Sequence, residues 1–150
     1  MKTLFAALLV SSLVLAGCSE STMTPGDPYY VTASVDGQSF EAETYEASYK
    51  NDVLTIDAHA GTSQPDIHIQ LTGIEMREYN LGDDLRNEAS ISFGSPENTY
   101  WSKFHIGEGR VLITRLVDTE AQGTFWFKGM SADSQTVDIQ QGRFSVYFNE

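Results

Sequence analysis

Residues 124–128 read Thr-Phe-Trp-Phe-Lys, an aromatic segment of a kind that favours a β-strand. Adjacent side chains of a strand point to opposite faces of a sheet, so Trp126 must point away from Phe125 and Phe127. Two arrangements follow. Either the phenylalanines fill the core and Trp126 lies outside, where tryptophan is favoured in binding surfaces, or Trp126 points inward and the phenylalanines form an external patch.

The same alternation recurs along the chain. From residue 29 onward, apolar residues occupy every second position in most segments, which is the period of a half-buried strand. Turn residues such as Asp36-Gly37 and Lys50-Asn51-Asp52 separate these segments. We therefore expect an all-β protein, either an antiparallel barrel or a two-layer sandwich of about eight to ten strands in a meander-like order.

Three places depart from the simple alternation. The apolar positions change phase between Ala42 and Tyr45, which predicts a bulge or bend within one strand. Gly142 interrupts the last strand and predicts a second bulge. Residues 75–87 are polar and irregular, and we expect a loop there that could contain a helical turn.

The N-terminus has the layout of a secretory signal. Lys2 supplies a positive charge, and residues 4–14 form an apolar run that is shorter than the roughly 20 residues a transmembrane helix needs. The small residues Ala16 and Gly17 then precede Cys18, the only cysteine of the 150-residue chain. An ordinary signal peptide with an incidental cysteine is one interpretation.

The run Leu15-Ala16-Gly17-Cys18 resembles the lipobox of bacterial lipoproteins. This resemblance implies that the sulfur of Cys18 carries a diacylglycerol, that the chain is cut before Cys18, and that the new amino group is acylated. Ser19 follows instead of aspartate, which by the enterobacterial sorting rule implies the outer membrane. The expected organisation is a signal peptide (1–17), the lipidated cysteine with a flexible tether (18–28), and one β-domain (29–150).

The charge balance restricts the partners. The chain has 21 acidic against 9 basic side chains, a formal net charge of −12. Such a surface repels nucleic acid and anionic lipid. We expect no cofactor and no nucleic acid; the expected partners are the membrane, through the N-terminal lipid, and an envelope protein.

The chain contains four segments that combine strand-like alternation with a glycine: ASVDGQSF (33–40), GRVLIT (109–114), GTFWF (123–127) and GRFSV (142–146). These segments resemble a family of small, uncharacterised lipoproteins common in Bacteroidota, whose domains open with an "A-x-V-D-G-x-x-F" pattern and end in a "GxVxIT … GTFxF … GxF" series. The resemblance implies an all-β lipoprotein domain with no established activity and no functional residues to transfer.

Histidines and aspartates form one candidate metal site. If Ile56 faces Ile69 across an antiparallel pair of strands, two histidines lie opposite two aspartates on the polar face, about 5 Å apart. These pairs are Asp57 with His68 and His59 with Asp66. Two imidazoles and two carboxylates could bind a divalent transition metal, but surface ion pairs are the commoner outcome, and we expect no bound metal.

No other motif in the sequence clearly indicates a catalytic or binding site. The sequence contains no G-x-S-x-G, P-loop or dinucleotide-binding pattern. Asp83-Asp84, with Asn80 and Asn87, could hold calcium loosely, but the EF-hand spacing is absent and a solvated loop is commoner.

The sequence thus predicts a lipid-anchored, non-enzymatic binding or interaction module. Trp126, Tyr100 and Trp101 are the candidate interaction patch, although the segment containing Tyr100 and Trp101 could instead simply cover the outward aromatic surface. One alternative is a binder of small apolar ligands inside a lipocalin-like barrel. A second is a hydrolase whose site is assembled from scattered residues.

Overall fold

The computed structural model describes residues 29–62, 64–82 and 86–149. The predicted signal peptide, Cys18 and the tether therefore lie outside the described residues. In the described part, the chain forms eleven strands and one 3₁₀ turn at Pro96–Asn98. The strands are β1 (Tyr30–Val35), β2 (Gln38–Glu41), β3 (Thr44–Lys50), β4 (Val53–His59), β5 (Pro65–Thr72), β6 (Glu78–Asn80), β7 (Glu88–Phe93), β8 (Thr99–Ser102), β9 (Glu108–Val117), β10 (Glu120–Met130) and β11 (Thr136–Tyr147). No helix among these residues is long and apolar enough to cross a membrane.

The strands form one curled antiparallel sheet, a half-barrel, which confirms the predicted all-β antiparallel fold. The strand order is β2-β1-β11-β10-β8-β7-β5-β4-β3. The long strand β10 divides the sheet into two branches: residues 120–128 pair with β9, which pairs with β6, whereas Met130 pairs with Trp101 of β8.

The residues after β11 reach the far edge of the sheet. The backbone N–H of Tyr49 in β3 donates to the carbonyl of Asn149 at 2.7 Å, and the N–H of Asn149 donates to the carbonyl of Ala47 at 3.2 Å. One parallel bridge joins Ser48 to Asn149. The C-terminal end of the chain therefore provides hydrogen bonds to an edge strand that would otherwise lack them.

The short turns agree with the sequence. Asp36 and Gly37 have φ angles of 47° and 82°, and Asn51 and Asp52 have 53° and 65°. Two successive positive φ angles are typical of the type I′ turn, which suits the twist of a hairpin. The register of β11 shifts beside Gly142, as predicted, with Gln141 at a φ of 53°.

One prediction of local structure was partly right and another was wrong. Between Ala42 and Tyr45 the chain has the predicted bend, at Glu43, but no bulge and no continuous strand: β2 ends at Glu41 and β3 begins at Thr44, and these strands lie at opposite edges of the sheet. Residues 78–80, predicted as loop, form β6, which pairs with β9 and buries Tyr79 completely. Three residues are too few to produce a readable period of two.

In the part of the core formed by β9, β10 and β11, phenylalanine side chains lie against glycine backbone. Phe125 and Phe127 point inward with 3% and 0% exposure, so the first of the two arrangements of residues 124–128 is the observed one. Three inward phenylalanines each lie opposite a glycine in a neighbouring strand: Phe125 opposite Gly142, Phe144 opposite Gly123, and Phe127 opposite Gly109. A Cβ atom at Gly142 would lie 2.5 Å from the ring of Phe125, so only glycine leaves room for this ring.

We expect Gly142→Ala to lower the free energy of unfolding by about 1–3 kcal/mol, the usual cost of overpacking a core. Urea denaturation measures this change. Gly82→Ala is the matched control, since its Cβ atom would meet its nearest neighbour at an ordinary 3.6 Å. Equal stability of the two variants would contradict the steric role of Gly142.

Candidate functional site

Trp126 lies on the outer face of the sheet. Its neighbours in β10 point into the core, and in the register with β9 it lies opposite Arg110. On the other side it faces the bulge of β11, where Gln140 and Gln141 are both exposed. Trp126 itself is partly exposed.

Two rows of outward side chains surround Trp126. The first row crosses six strands and consists of Glu41, Thr32, Arg143, Thr124, Leu112 and Glu78. The second row contains Ser39, Ser34, Gln140, Trp126 and Arg110. Together with Gln141, they line an open concavity of about 990 Å³, which we call the Trp126 trough. Its volume is at the upper end of the roughly 300–1,000 Å³ usual for ligand sites.

The charges inside the Trp126 trough balance each other. Arg110 Nη1 lies 3.1 Å from Glu78 Oε1. Arg143 makes no ion pair with any described residue, and Glu41 at the rim makes none either. Two guanidinium groups therefore stand against two carboxylates, so this surface is neutral on a protein with a formal net charge of −12.

The indole of Trp126 is not engaged by the rest of the described chain. It makes no side-chain hydrogen bond and no contact with another ring or with a cation among those residues. Trp101 differs, because the ammonium of Lys103 lies 4.4 Å from the centre of its ring. A half-buried tryptophan usually finds a hydrogen-bond partner for its N–H, so Trp126 has capacity for a ligand.

The structure separates Tyr100 and Trp101 from Trp126. Tyr100 packs against the core, with its ring 5.8 Å from that of Phe93. Trp101 points to the outer face and lines a different concavity of about 530 Å³ beside His68. Neither residue lines the Trp126 trough, so they do not cover Trp126.

The predicted register of the histidines is confirmed. Asp57 lies opposite His68 and His59 opposite Asp66 in the β4–β5 pair. The Nδ1–H of His68 donates to Asp57 Oδ1 at 2.6 Å, and His59 Nδ1 lies 3.2 Å from Asp66 Oδ1. The described residues contain no group of three or more metal-ligating side chains arranged around one point. The four side chains thus form two separate pairs.

The hydrogen bond from His68 lowers the pKa of Asp57 below its ordinary value of 3.8; partial burial opposes this shift, and the nearby imidazoles of His68 and His59 add to it. The carboxylate form is therefore favoured in the folded protein.

Ser90, His68 and Asp57 occupy adjacent strands in a single row, in the order of a hydrolase triad. In a working triad, the serine hydroxyl bonds to the histidine. Ser90 is 5% exposed, and its hydroxyl makes no such bond to His68 within the described chain. The row therefore matches a triad in composition but not in contacts.

Sequence reasoning missed the arginines and glutamines of the Trp126 trough. Arg110 and Arg143 each follow a glycine and precede an inward apolar residue, so strand alternation assigns both to the outer face. The sequence does not show that Arg110 and Arg143 lie on either side of β10, because this follows only from the pairing of β10 with β9 and β11. The calcium candidate Asp83-Asp84 lies outside the described residues, as does Cys18.

We expect Asp57→Asn to reduce stability at neutral pH by less than about 1 kcal/mol, because the pair is partly exposed and screened by solvent. The folded pKa of Asp57 lies below the unfolded one, so this stabilisation is present above pH 3.8 and is lost as the pH falls through the lowered pKa. Urea unfolding at several pH values should show that the difference in free energy of unfolding between wild type and variant becomes smaller in acid. Asp66→Asn, in the longer and more exposed pair, should lower the free energy of unfolding by a smaller amount. A stability difference between wild type and Asp57→Asn that does not change with pH would contradict the lowered pKa of Asp57.

Comparison with known proteins gives one match. The family model described as a domain of unknown function, DUF6252, matches residues 28–146, a range that includes the Trp126 trough and both His–Asp pairs. No curated protein and no solved structure matches the chain. The chain therefore belongs to the DUF6252 family of domains of unknown function.

Proposed function

We propose that this protein is a lipid-anchored, non-enzymatic binding module of the bacterial cell envelope, and that the Trp126 trough is its binding surface. The observation that carries the proposal is an unengaged tryptophan at the centre of a broad, concave and polar sheet face. Tryptophan and arginine are the residues most enriched where binding energy is concentrated. Here Trp126 is next to Arg110 and lies in the same trough as Arg143.

The anchor is supported by the lipobox-like run that ends at Cys18. Acyl chains there would hold the domain at the outer membrane, with residues 19–28 as a flexible spacer. More than one acyl chain gives stable membrane attachment, since each buried CH₂ contributes about 0.8 kcal/mol. Ser19 at the following position favours the outer membrane.

The chemistry of the Trp126 trough favours binding over catalysis. Its lining residues supply hydroxyl, carboxamide, guanidinium, indole and carboxylate groups, which hold ligands by hydrogen bonding and stacking. No imidazole or thiol is among them. The two carboxylates, on Glu41 and Glu78, stand at opposite ends of the first row, on β2 and β6, too far apart to act as an acid–base pair on one ligand.

An apolar ligand held inside the half-barrel has less support. Apart from Pro65 and Phe93 at the ends of β5 and β7, the inward side chains of β1, β4, β5, β7, β10 and β11 pack against one another and are at most 9% exposed. The Trp126 trough opens on the outer face and is lined mainly by polar groups, which suit an apolar ligand poorly.

The binding role is tested by affinity capture from solubilised native envelopes, with proteins and glycans both analysed. We expect wild type and Trp101→Ala to recover the same component and Trp126→Ala to lose it, because only Trp126 lies in the Trp126 trough. Trp101→Ala is the matched control, since it removes a tryptophan from the other concavity. Identical recovery by all three proteins would overturn the role of Trp126.

The anchor is tested separately by fractionating cells that express Cys18→Ser. We expect the variant to move from the membrane to the soluble fraction and to lose labelling by radioactive fatty acid, because serine has no thiol to acylate. Ser19→Ala keeps the thiol and should remain in the membrane fraction. A Cys18→Ser protein that stays with membranes would contradict the lipid anchor.

A further inference from the structure

The Trp126 trough offers side chains, not backbone, to a ligand. Its floor is the centre of the sheet, where β11 pairs with β1 on one side and β10 on the other, and β10 pairs with β9. The backbone N–H and C=O groups of these strands are used in the pairings. An extended peptide, which binds sheets through free backbone groups, therefore has no partner in the centre of the trough around Trp126.

The polar side chains that face the Trp126 trough make few hydrogen bonds to other described residues. The side chains of Gln141, Thr124 and Arg143 make no hydrogen bond to any other described residue. Gln140 uses one N–H, to Asp138 Oδ1 at 2.8 Å, and keeps its carbonyl oxygen available. Hydrogen-bond donors and acceptors are thus both available around Trp126. This combination suits a ligand rich in hydroxyl groups, since each hydroxyl both donates and accepts.

The charge balance disfavours strongly charged ligands. Arg110 is paired with Glu78, and the carboxylate of Glu41, two strands from Arg143, balances the formal charge of Arg143 without pairing with it. Polyphosphates and nucleic acids require a surplus of positive charge, and the surrounding protein is acidic. A lipid or an apolar protein surface would need a larger apolar area than Trp126 and the neighbouring Leu112 provide.

These conditions favour a neutral ligand that is rich in hydroxyl groups. We infer that the Trp126 trough binds a neutral oligosaccharide, with the ring of Trp126 stacked on the C–H face of one sugar. The negative face of an indole attracts polarised C–H groups, and the hydroxyls at the edge of the sugar can reach the surrounding amides and guanidinium. Gln141, Thr124 and Arg143 supply those hydrogen bonds. This inference rests on the proposed function, namely that the Trp126 trough is the binding surface.

Titration of the full-length protein in mild detergent with neutral hexasaccharides tests the inference. The probes are fragments of cellulose, xylan, mannan, chitin and laminarin. We expect saturable binding of at least one probe by isothermal calorimetry. Trp126→Ala should weaken it at least about tenfold, equivalent to roughly 1.4 kcal/mol, because stacking is lost. Trp126→Phe should recover part of the affinity.

Two further measurements locate the sugar. Trp101→Phe leaves Trp126 as the only tryptophan, so its fluorescence should change on sugar binding while affinity stays within about twofold of wild type. Arg143→Ala should weaken binding with no change in the urea midpoint, since Arg143 has no partner in the described fold.

Three results would overturn the inference: no binding of any neutral probe, equal affinity for wild type and Trp126→Ala, or stronger binding of an oligogalacturonate, which is anionic. If no sugar binds but an envelope protein is captured in a Trp126-dependent manner, the carbohydrate ligand is rejected and the Trp126 trough remains the binding surface. Failure of both experiments would reject the proposed function as well.

Discussion

The contact of phenylalanine rings with glycine backbone is the constraint on which this fold depends. Phe125 covers Gly142 and Phe144 covers Gly123, so these two rings occupy space that a methyl group would otherwise fill, and the Cβ atom of Phe127 does the same at Gly109 in β9. The ring of Phe125 lies 6.5 Å from each of the rings of Phe127 and Phe144, so these contacts together join β9, β10 and β11 into one packed unit. A glycine inside a strand is normally destabilising, but here it is the complement of an aromatic ring.

The same contact determines what the outer face can present. Because side chains alternate along a strand, fixing Phe125 and Phe127 inward directs Trp126 outward. The bulge at Gln141 then places two adjacent glutamines on the outer face of β11. The Trp126 trough is therefore a consequence of how the core is packed, and a substitution at Gly142, which lies against the core ring of Phe125 and also lines the trough, can alter both.

The sequence predicts local features of this protein well and long-range ones poorly. Asp36-Gly37 forms the expected turn, and the opposition of Asp57 and His68 follows from a short hairpin whose register is set by two isoleucines. These features depend on neighbours in the chain. The Trp126 trough depends on β1, β9 and β11 lying around β10, and this order is determined by packing between residues that are distant in sequence. Alternation also cannot reveal β6, which is too short to show it.

The first strand of the domain pairs with the last one: Tyr30 lies opposite Ser145, more than a hundred residues away. Asn149, near the C-terminus, supplies the bonds to the edge strand β3. Loops of this length close slowly, because their entropy is lost before any contact compensates for it. During synthesis, β1 has no partner on its β11 side until residue 145 has been made, whereas the hairpin of β1 and β2 needs no distant strand. A chain that is still being made therefore exposes one backbone edge of β1 together with the apolar residues that β11 covers in the finished sheet.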